Sequence, residues 1–518
     1  MLPVKSSPST VDGPHGEILS ILRQLWTNSA IYAATNFLQR GAVFLLMPLY
    51  TLYLDPAAYG ILTIVTAVNG LLSILFTLGL TSAMTRFYFE YRDDPHKLAH
   101  FWGTILVFVM VLSAVLGCVL LLTGEVVLRP LIGDVPFWPY IALGVIATFF
   151  QPFFLTFLAV LQMRNQAGRY AAVSLANFAL TTLLTLALLV FMGWGVRGPL
   201  AATLIVSCVF FFVSLWLLWS DIKLCWHWHH LRSALSYSLP LVPHSISGQA
   251  TAFADRLVLN SYFGTATAGL YSVGAMLALL VEVAAQSLNR AYVPLTMAAL
   301  KRGHREDLDQ IRIIGTLVVA IFCLLGATVA AFARELIWLM TSPAFSAAAS
   351  VVPILVFAGV SNAIYLVFVN VLFYNRSAVK LIPVGTLSAA SASIILSLSL
   401  VPRFGLMGAA VSAALAQIIS TVLIATIARR FDPVRWNYGR YALTYFLSLS
   451  AAIGLGELEA GDLTINILLK IFGLAALAIL IGMLLWNRPL IFVRALVHLS
   501  RRRTDAAAAL FTDVRSLA

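Results

Sequence analysis

Five ionisable residues stand inside stretches that are otherwise apolar: Arg40, Asp255, Arg256, Glu282 and Lys470. Gln39, His244 and Gln249 share those stretches. A charge at the centre of a membrane helix costs roughly 2.5–3.5 kcal/mol on insertion scales, so such residues usually face a partner or a hydrated cavity. Arginine there offers a planar fork of donors that can hold an anion through two parallel hydrogen bonds. An acid or an imidazole there can carry a proton or a cation. Asp255 and Arg256 are neighbours, so on a helix they point about 100° apart and each can seek its own partner. The plainer alternative is a structural ion pair between them. Lys470 lies about two turns into its stretch and is expected either to snorkel to the outer surface or to line an internal cleft. Arg40 is mid-stretch, where snorkelling is hard, and is expected to face water inside the protein. Three cations against two acids lean toward an anionic ligand.

Other motifs carry less. GWGVRG (Gly193–Gly198) fits G-x-G-x-x-G, but it lies between two apolar runs rather than after a strand, so a tight interhelical turn is the better reading. The chain has no Gly-Lys pair, hence no phosphate-binding P-loop. CWHWHHLR holds Cys225, His227, His229 and His230, without the separated ligand pairs of a structural zinc site. Its tryptophans read as interfacial anchors. HKLAH sets His96 and His100 one helical turn apart but lacks the glutamate of a zinc hydrolase. RFYFEYRDD (Arg86–Asp94) is an aromatic and charged belt. No metal and no cofactor are expected. The apolar runs hold no cluster of acid, base and nucleophile, so the protein is not expected to be an enzyme.

The elements that must position these residues are membrane helices. Of 518 residues, 61% are hydrophobic and 10% charged, where a soluble chain is nearer half apolar and a quarter charged. Runs of roughly 20 apolar residues give fourteen expected spans: 29–53, 57–81, 99–123, 137–161, 170–192, 198–219, 236–261, 267–289, 313–333, 346–372, 379–401, 405–428, 440–456 and 464–486. The longest hydrophilic pieces are the N-terminal segment, a loop over 290–312 and the C-terminal tail. EILSILRQLW (17–26) suits a short interfacial helix. With the N-terminus inside, 26 of the 33 Lys and Arg fall on the cytoplasmic side and 4 outside, as the positive-inside rule requires. The net charge of +12 then lines the inner membrane face and needs no nucleic acid. Pro48, Pro240 and Pro243 are expected to kink their helices. The four cysteines suggest no disulfide framework.

The chain also resembles itself. LDPAAYGILTIV (Leu54–Val65) aligns with FGTATAGLYSVG (Phe263–Gly274) at an offset of 209, pairing Gly60 with Gly269. At an offset of 210, Gly195 meets Gly405, Gly198 meets Gly408 and Asn165 meets Asn375. Spans 1–6 thus correspond to spans 7–12, a parallel repeat of a kind used by transporters that hold substrate between their halves. The expected organisation is an N-terminal segment (1–28), a first six-helix bundle (29–219), a linker (220–235), a second bundle (236–428), helices 13 and 14 (429–487) and a basic tail (488–518).

PLYTLYLDPAAYGILTIV, ADRLVLNSYFGTATAGLYSVG and PRFGLMGAAVSAALAQII are similar to the polysaccharide-export branch of the multidrug/oligosaccharidyl-lipid/polysaccharide exporters. The resemblance covers most of residues 25–490. It implies an all-α polytopic fold with two six-helix bundles around a central cleft. It also implies flipping of a polyprenyl-diphosphate-linked oligosaccharide to the periplasmic leaflet of a bacterial inner membrane, for lipopolysaccharide or exopolysaccharide synthesis. Membrane lipid, and a polysaccharide polymerase and glycosyltransferases of the same pathway, are the partners implied. On that reading Arg40 and Arg256 contact the diphosphate and Asp255 orients Arg256. Gln39, Gln249 and His244 are lesser contacts, and Asp255, Glu282 or His244 could carry a coupling ion. The alternatives are a multidrug exporter of the same superfamily, a membrane-embedded glycan-modifying enzyme, and a scaffold protein.

Overall fold

Residues 28–486, apart from 29–30, 40, 42–43, 45, 220–221, 380, 432–433 and 459–462, are described by a computed structural model. Arg40, the interfacial helix expected over 17–26 and the basic tail 488–518 lie outside the described residues. All regular structure among the described residues is helical.

Local signals fix many of the helix ends. Pro48 sits in the first turn of α1 (Met47–Tyr53), where it starts a helix rather than kinking one. α2 (Pro56–Thr77) is capped by Asp55, whose carboxylate accepts from the Ala58 N–H at 2.7 Å. It ends where Leu78 and Gly79 turn left-handed, at φ 46° and 68°. α3 (Leu80–Tyr91) follows, and α4 (Pro95–Val127) repeats the start of α2, with Asp94 accepting from the Lys97 N–H at 3.0 Å. At 33 residues α4 is about 50 Å long, so it projects beyond the hydrocarbon layer. α5 (Arg129–Ile132), α6 (Ala142–Met163), α7 (Ala167–Leu186) and α8 (Arg197–Leu218) complete the first half. α9 (Trp228–Ser238) packs on α3 and α4.

The second half contains α10 (Val242–Arg302), α11 (Arg305–Ala331), α12 (Ala333–Met340), α13 (Val352–Tyr374), α14 (Arg376–Val379), α15 (Ile382–Phe431), α16 (Tyr438–Gly456) and α17 (Leu463–Trp486). α10 and α15 are hairpins, not rods. Residues 16 apart on a straight helix are about 24 Å apart, yet the Tyr271 hydroxyl is 2.9 Å from the Asp255 carboxylate. Likewise Ser397 and Ser412 meet at 3.1 Å. Each chain doubles back at one glycine, Gly264 (φ 77°, ψ 175°) and Gly405 (φ 54°, ψ −128°), whose backbone angles disfavour any residue with a Cβ. The expected breaks after residues 261 and 401 are therefore single-residue turns.

Two expectations need correcting. The stretch 290–312 is not a loop: the second arm of α10 runs to Arg302, Gly303 ends it at φ 68°, and α11 restarts at Arg305. Pro240 lies in a short 3-10 turn and Pro243 in the first turn of α10, so both mark a helix start, not a kink.

Ten of the described helices are long and apolar enough to cross a membrane. Leu122, Val126, Phe191 and Trp216 are each more than three-quarters exposed. Such faces suit lipid and not water. The protein is a multi-pass membrane protein. One hydrophobic core runs from α2 through α10 into α11, α13 and α16. Where α15 enters it, small buried residues such as Ser393, Ala409, Ala410 and Ala416 let backbones approach closely.

Candidate functional site

The adjacent charges on α10 part company. The Asp255 carboxylate is buried and accepts hydrogen bonds from the hydroxyls of Tyr271, Ser397 and Ser412. It ties the two arms of α10 to both arms of α15. Burial of a carboxylate is tolerable only with such donors. The Arg256 guanidinium goes elsewhere. Its Nε donates to the Ser272 hydroxyl at 3.1 Å, and its charge lies over the rings of Phe253 and Tyr271 at 5.2 and 5.8 Å. That charge also reaches Tyr59 on α2. Arg256 is thus held by two rings and a serine of its own hairpin, α10, which packs along α2 at the seam between the halves.

The seam itself is closed at the α2 start. A Cβ added at Gly60 would sit 1.8 Å from the Thr265 carbonyl oxygen, and one at Gly269 would sit 2.0 Å from that of Pro56. These are the residues the 209 offset pairs, Pro56 with Thr265 and Gly60 with Gly269. The contact is mutual, as at a two-fold axis. Asn260 adds a bridge, donating its amide to the Ile132 carbonyl at 2.6 Å. Tyr59 meets Phe345 edge to face at 5.9 Å.

The remaining candidates scatter. Gln39 donates to the Ser174 carbonyl at 2.9 Å and hydroxyl at 2.7 Å, within the first half. The Gln249 amide lies against Gly70 of α2, 3.3 Å from where a Cβ would stand. His244 is exposed near the start of α10. Glu282 is partly buried and makes no ion pair among the described residues. Gln286 and Arg290 follow it at intervals of four, so one face of the second arm of α10 is polar. Sequence reasoning passed over that stripe, although the four-residue spacing was readable. It also missed Tyr271, Ser397 and Ser412, which look like ordinary helix residues until the hairpins bring them to Asp255.

Residues 25–300 match the family described as Polysaccharide biosynthesis protein, more than half of the chain. The chain belongs to this family. It is 27% identical over 285 residues to a protein of the Lsg locus of Haemophilus influenzae, covering 54% of this chain and 67% of that one. Its fold is similar to that of the lipid II flippase MurJ in an inward closed conformation, with a TM-score of 0.67 and 14% identity over 88% of this chain and 99% of that one. It is also similar to an inward-facing multidrug resistance MATE transporter of the MOP superfamily, with a TM-score of 0.55 and 17% identity over 77% and 99% of the two chains. At these identities the likeness is one of fold.

Two further constellations in this polysaccharide biosynthesis protein differ from their sequence readings or sharpen them. Lys470 does not snorkel. It is 1% exposed, pairs with Glu335 of α12 and lies over the Phe332 ring at 5.5 Å. A nearby acid outweighs the pull of the membrane surface, because the lysine gains a partner without leaving the protein. The histidine-rich segment packs against α3 and α4. Cys225 lies 3.2 Å from His227 Nδ1 and 3.3 Å from the His100 carbonyl. Among the described residues no three His, Cys, Asp or Glu side chains are placed to hold a metal. Burial, reinforced by His227, His229, Lys97 and His100, holds the His230 imidazole below its ordinary pKa.

Proposed function

We propose that this protein flips a polyprenyl-diphosphate-linked oligosaccharide from the cytoplasmic to the periplasmic leaflet of a bacterial inner membrane, for surface polysaccharide synthesis. The family match carries this reading, and a fold similar to that of a flippase supports it. Both termini are cytoplasmic in this proposal. The bundles over 29–219 and 236–428 are parallel repeats of six spans, with helices 13 and 14 appended to give fourteen. The reciprocal contact of Gly60 and Gly269 supports the repeat, as do the left-handed turns at Gly195 (φ 53°) and Gly405 (φ 54°).

An anionic head group crossing hydrocarbon unaided would lose its hydration with nothing in return. Arg256, with Arg40, supplies replacement donors for the diphosphate. Asp255 acts at one remove: its three hydroxyl partners lock the arms of α10, and the arm so fixed presents Arg256 to the seam. Gln39, Gln249 and His244 contact glycan or diphosphate. Glu282 and His244, which are not tied up as Asp255 is, are the candidates for a coupling ion. An inside-negative potential favours outward movement of an anion by about 2.3 kcal/mol per charge per 100 mV.

Arg256→Ala is expected to fold but to leave lipid-linked glycan facing the cytoplasm, with Arg256→Lys intermediate because it keeps the charge and loses the fork. Normal export by well-expressed Arg40→Ala and Arg256→Ala variants would remove the residue assignment. The similarity to a multidrug transporter sustains a second reading, drug export. Deletion that changes drug susceptibility and leaves surface polysaccharide intact would favour it.

A further inference from the structure

Two adjoining cavities lie where α15 hands over to α16. The first, of about 260 Å³, is a groove between α13, α15 and α16, walled by Phe368, Ile418, Val422, Tyr441, Tyr445 and Phe446 among others. Apart from Arg429 at its mouth, its wall is rings, aliphatic groups and hydroxyls that are largely engaged. The Tyr441 hydroxyl meets that of Thr316 at 2.6 Å, the Tyr445 hydroxyl donates to the Phe357 carbonyl at 2.9 Å, and Thr421 bonds with Ser361. What remains toward the groove is ring face and methyl. The second cavity, of about 530 Å³, is lined by Arg429, Arg435, Trp436, Tyr438 and Gly439. Arg429 and Tyr438 line both, so the apolar groove opens onto the cationic chamber.

The chamber is built and not merely basic. Cations in the last turn of a helix such as α15 are ordinary, because the terminal carbonyls favour them. That accounts for Arg429 and leaves two features over. Arg435 holds its backbone at φ 58°, a region costly for a residue with a Cβ and kept where surrounding structure requires it. Trp436 is 4% exposed, packs on Gly315 and has its indole N–H buried with no hydrogen-bond partner. A buried donor without an acceptor costs about 1–3 kcal/mol. Neither Arg429 nor Arg435 forms an ion pair among the described residues.

The geometry points to a binding site for an anionic phospholipid of the membrane. Its phosphodiester sits between the Arg429 and Arg435 guanidinia, and one hydrocarbon chain lies in the α13–α15–α16 groove. Charge complementarity selects the class: a zwitterionic lipid brings its own cation into a chamber that already holds two. Basic pockets between helices on the Lys- and Arg-rich face are natural seats for acidic head groups. The lipid would join α16 to the body of the protein. This inference does not rest on the proposed cargo.

The test is native mass spectrometry of the purified full-length protein with added dioleoyl phosphatidylglycerol or dioleoyl phosphatidylcholine. Wild type is expected to retain one phosphatidylglycerol in preference. Arg429→Gln and Arg435→Gln should each reduce that retention about fivefold, the effect of one cation near an anionic lipid surface. Equal retention of the two lipids, or undiminished retention by a double arginine variant that melts like wild type, overturns the proposal. So does displacement of phosphatidylglycerol by undecaprenyl phosphate in wild type and not in the double variant, since the site would then belong to a lipid carrier.

Discussion

At the scale of single residues, the fate of each polar group follows from what it can reach. Asp255 finds three hydroxyls and becomes a fastener. Arg256, one position on, finds two rings and a serine of the same hairpin. His230 finds aromatic neighbours, Tyr91 and Phe101, each at 5.8 Å, and cations. Its folded-state pKa lies below the ordinary value of about 6.5. The unfolded chain therefore binds the proton more readily. The stabilising contribution is complete above that value and is lost as pH falls through the lower folded-state one. His230→Phe keeps the ring packing and removes the titration. Its melting temperature should decline less than that of wild type between neutral and mildly acidic pH; parallel declines would show that His230 is not the titrating group.

At the scale of elements, the glycines decide what the helices do. Gly264 and Gly405 turn long apolar stretches into hairpins. Gly60 and Gly269 let the start of α2 and the second arm of α10 meet backbone to backbone. At those two positions the obstructing atoms are carbonyl oxygens, which cannot rotate away as a side chain would. Gly60→Ala should therefore pry the seam apart. Gly117→Ala, with nothing within 4 Å of the added methyl, is the neutral control. The reporter is Asn260→Cys, at a position 2% exposed, in a background with the native cysteines replaced. A membrane-impermeant maleimide should label it faster with Gly60→Ala than with Gly117→Ala, and equal rates would deny the seam its dependence on the glycine pair.

At the scale of the whole molecule, the proposed flippase reading makes the closed seam one state of a two-sided device. Proteins built from parallel repeats carry substrate by rocking one half against the other. Here the closed side is held by Gly60 with Gly269, by Asn260 on the Ile132 carbonyl, and by Tyr59 on Phe345. Few of these contacts are charged, so separation leaves little unpaired. A short reducible cross-linker between Ile132→Cys and Asn260→Cys should stop delivery of lipid-linked glycan to the outer leaflet, and reduction should restore it. Transport at the uncross-linked rate with the bridge in place would exclude opening at this seam.

The sequence by itself determined the class and much of the framework. Apolar run length, aspartate–proline starts and left-handed glycines act over a few residues, so they can be read along the chain. That is why the span expected from 57 starts at Pro56, and why the breaks expected after 261 and 401 fall at Gly264 and Gly405. The family was legible for the same reason. Only the tertiary structure decided which polar groups meet. Asp255 and Ser397 are 142 positions apart, and Lys470 and Glu335 are 135. Inside a membrane a polar side chain must find its partner across helices, and no local pattern records which helix will stand opposite. The capture of Lys470 and the buried, unpartnered indole N–H of Trp436 both arise from that packing.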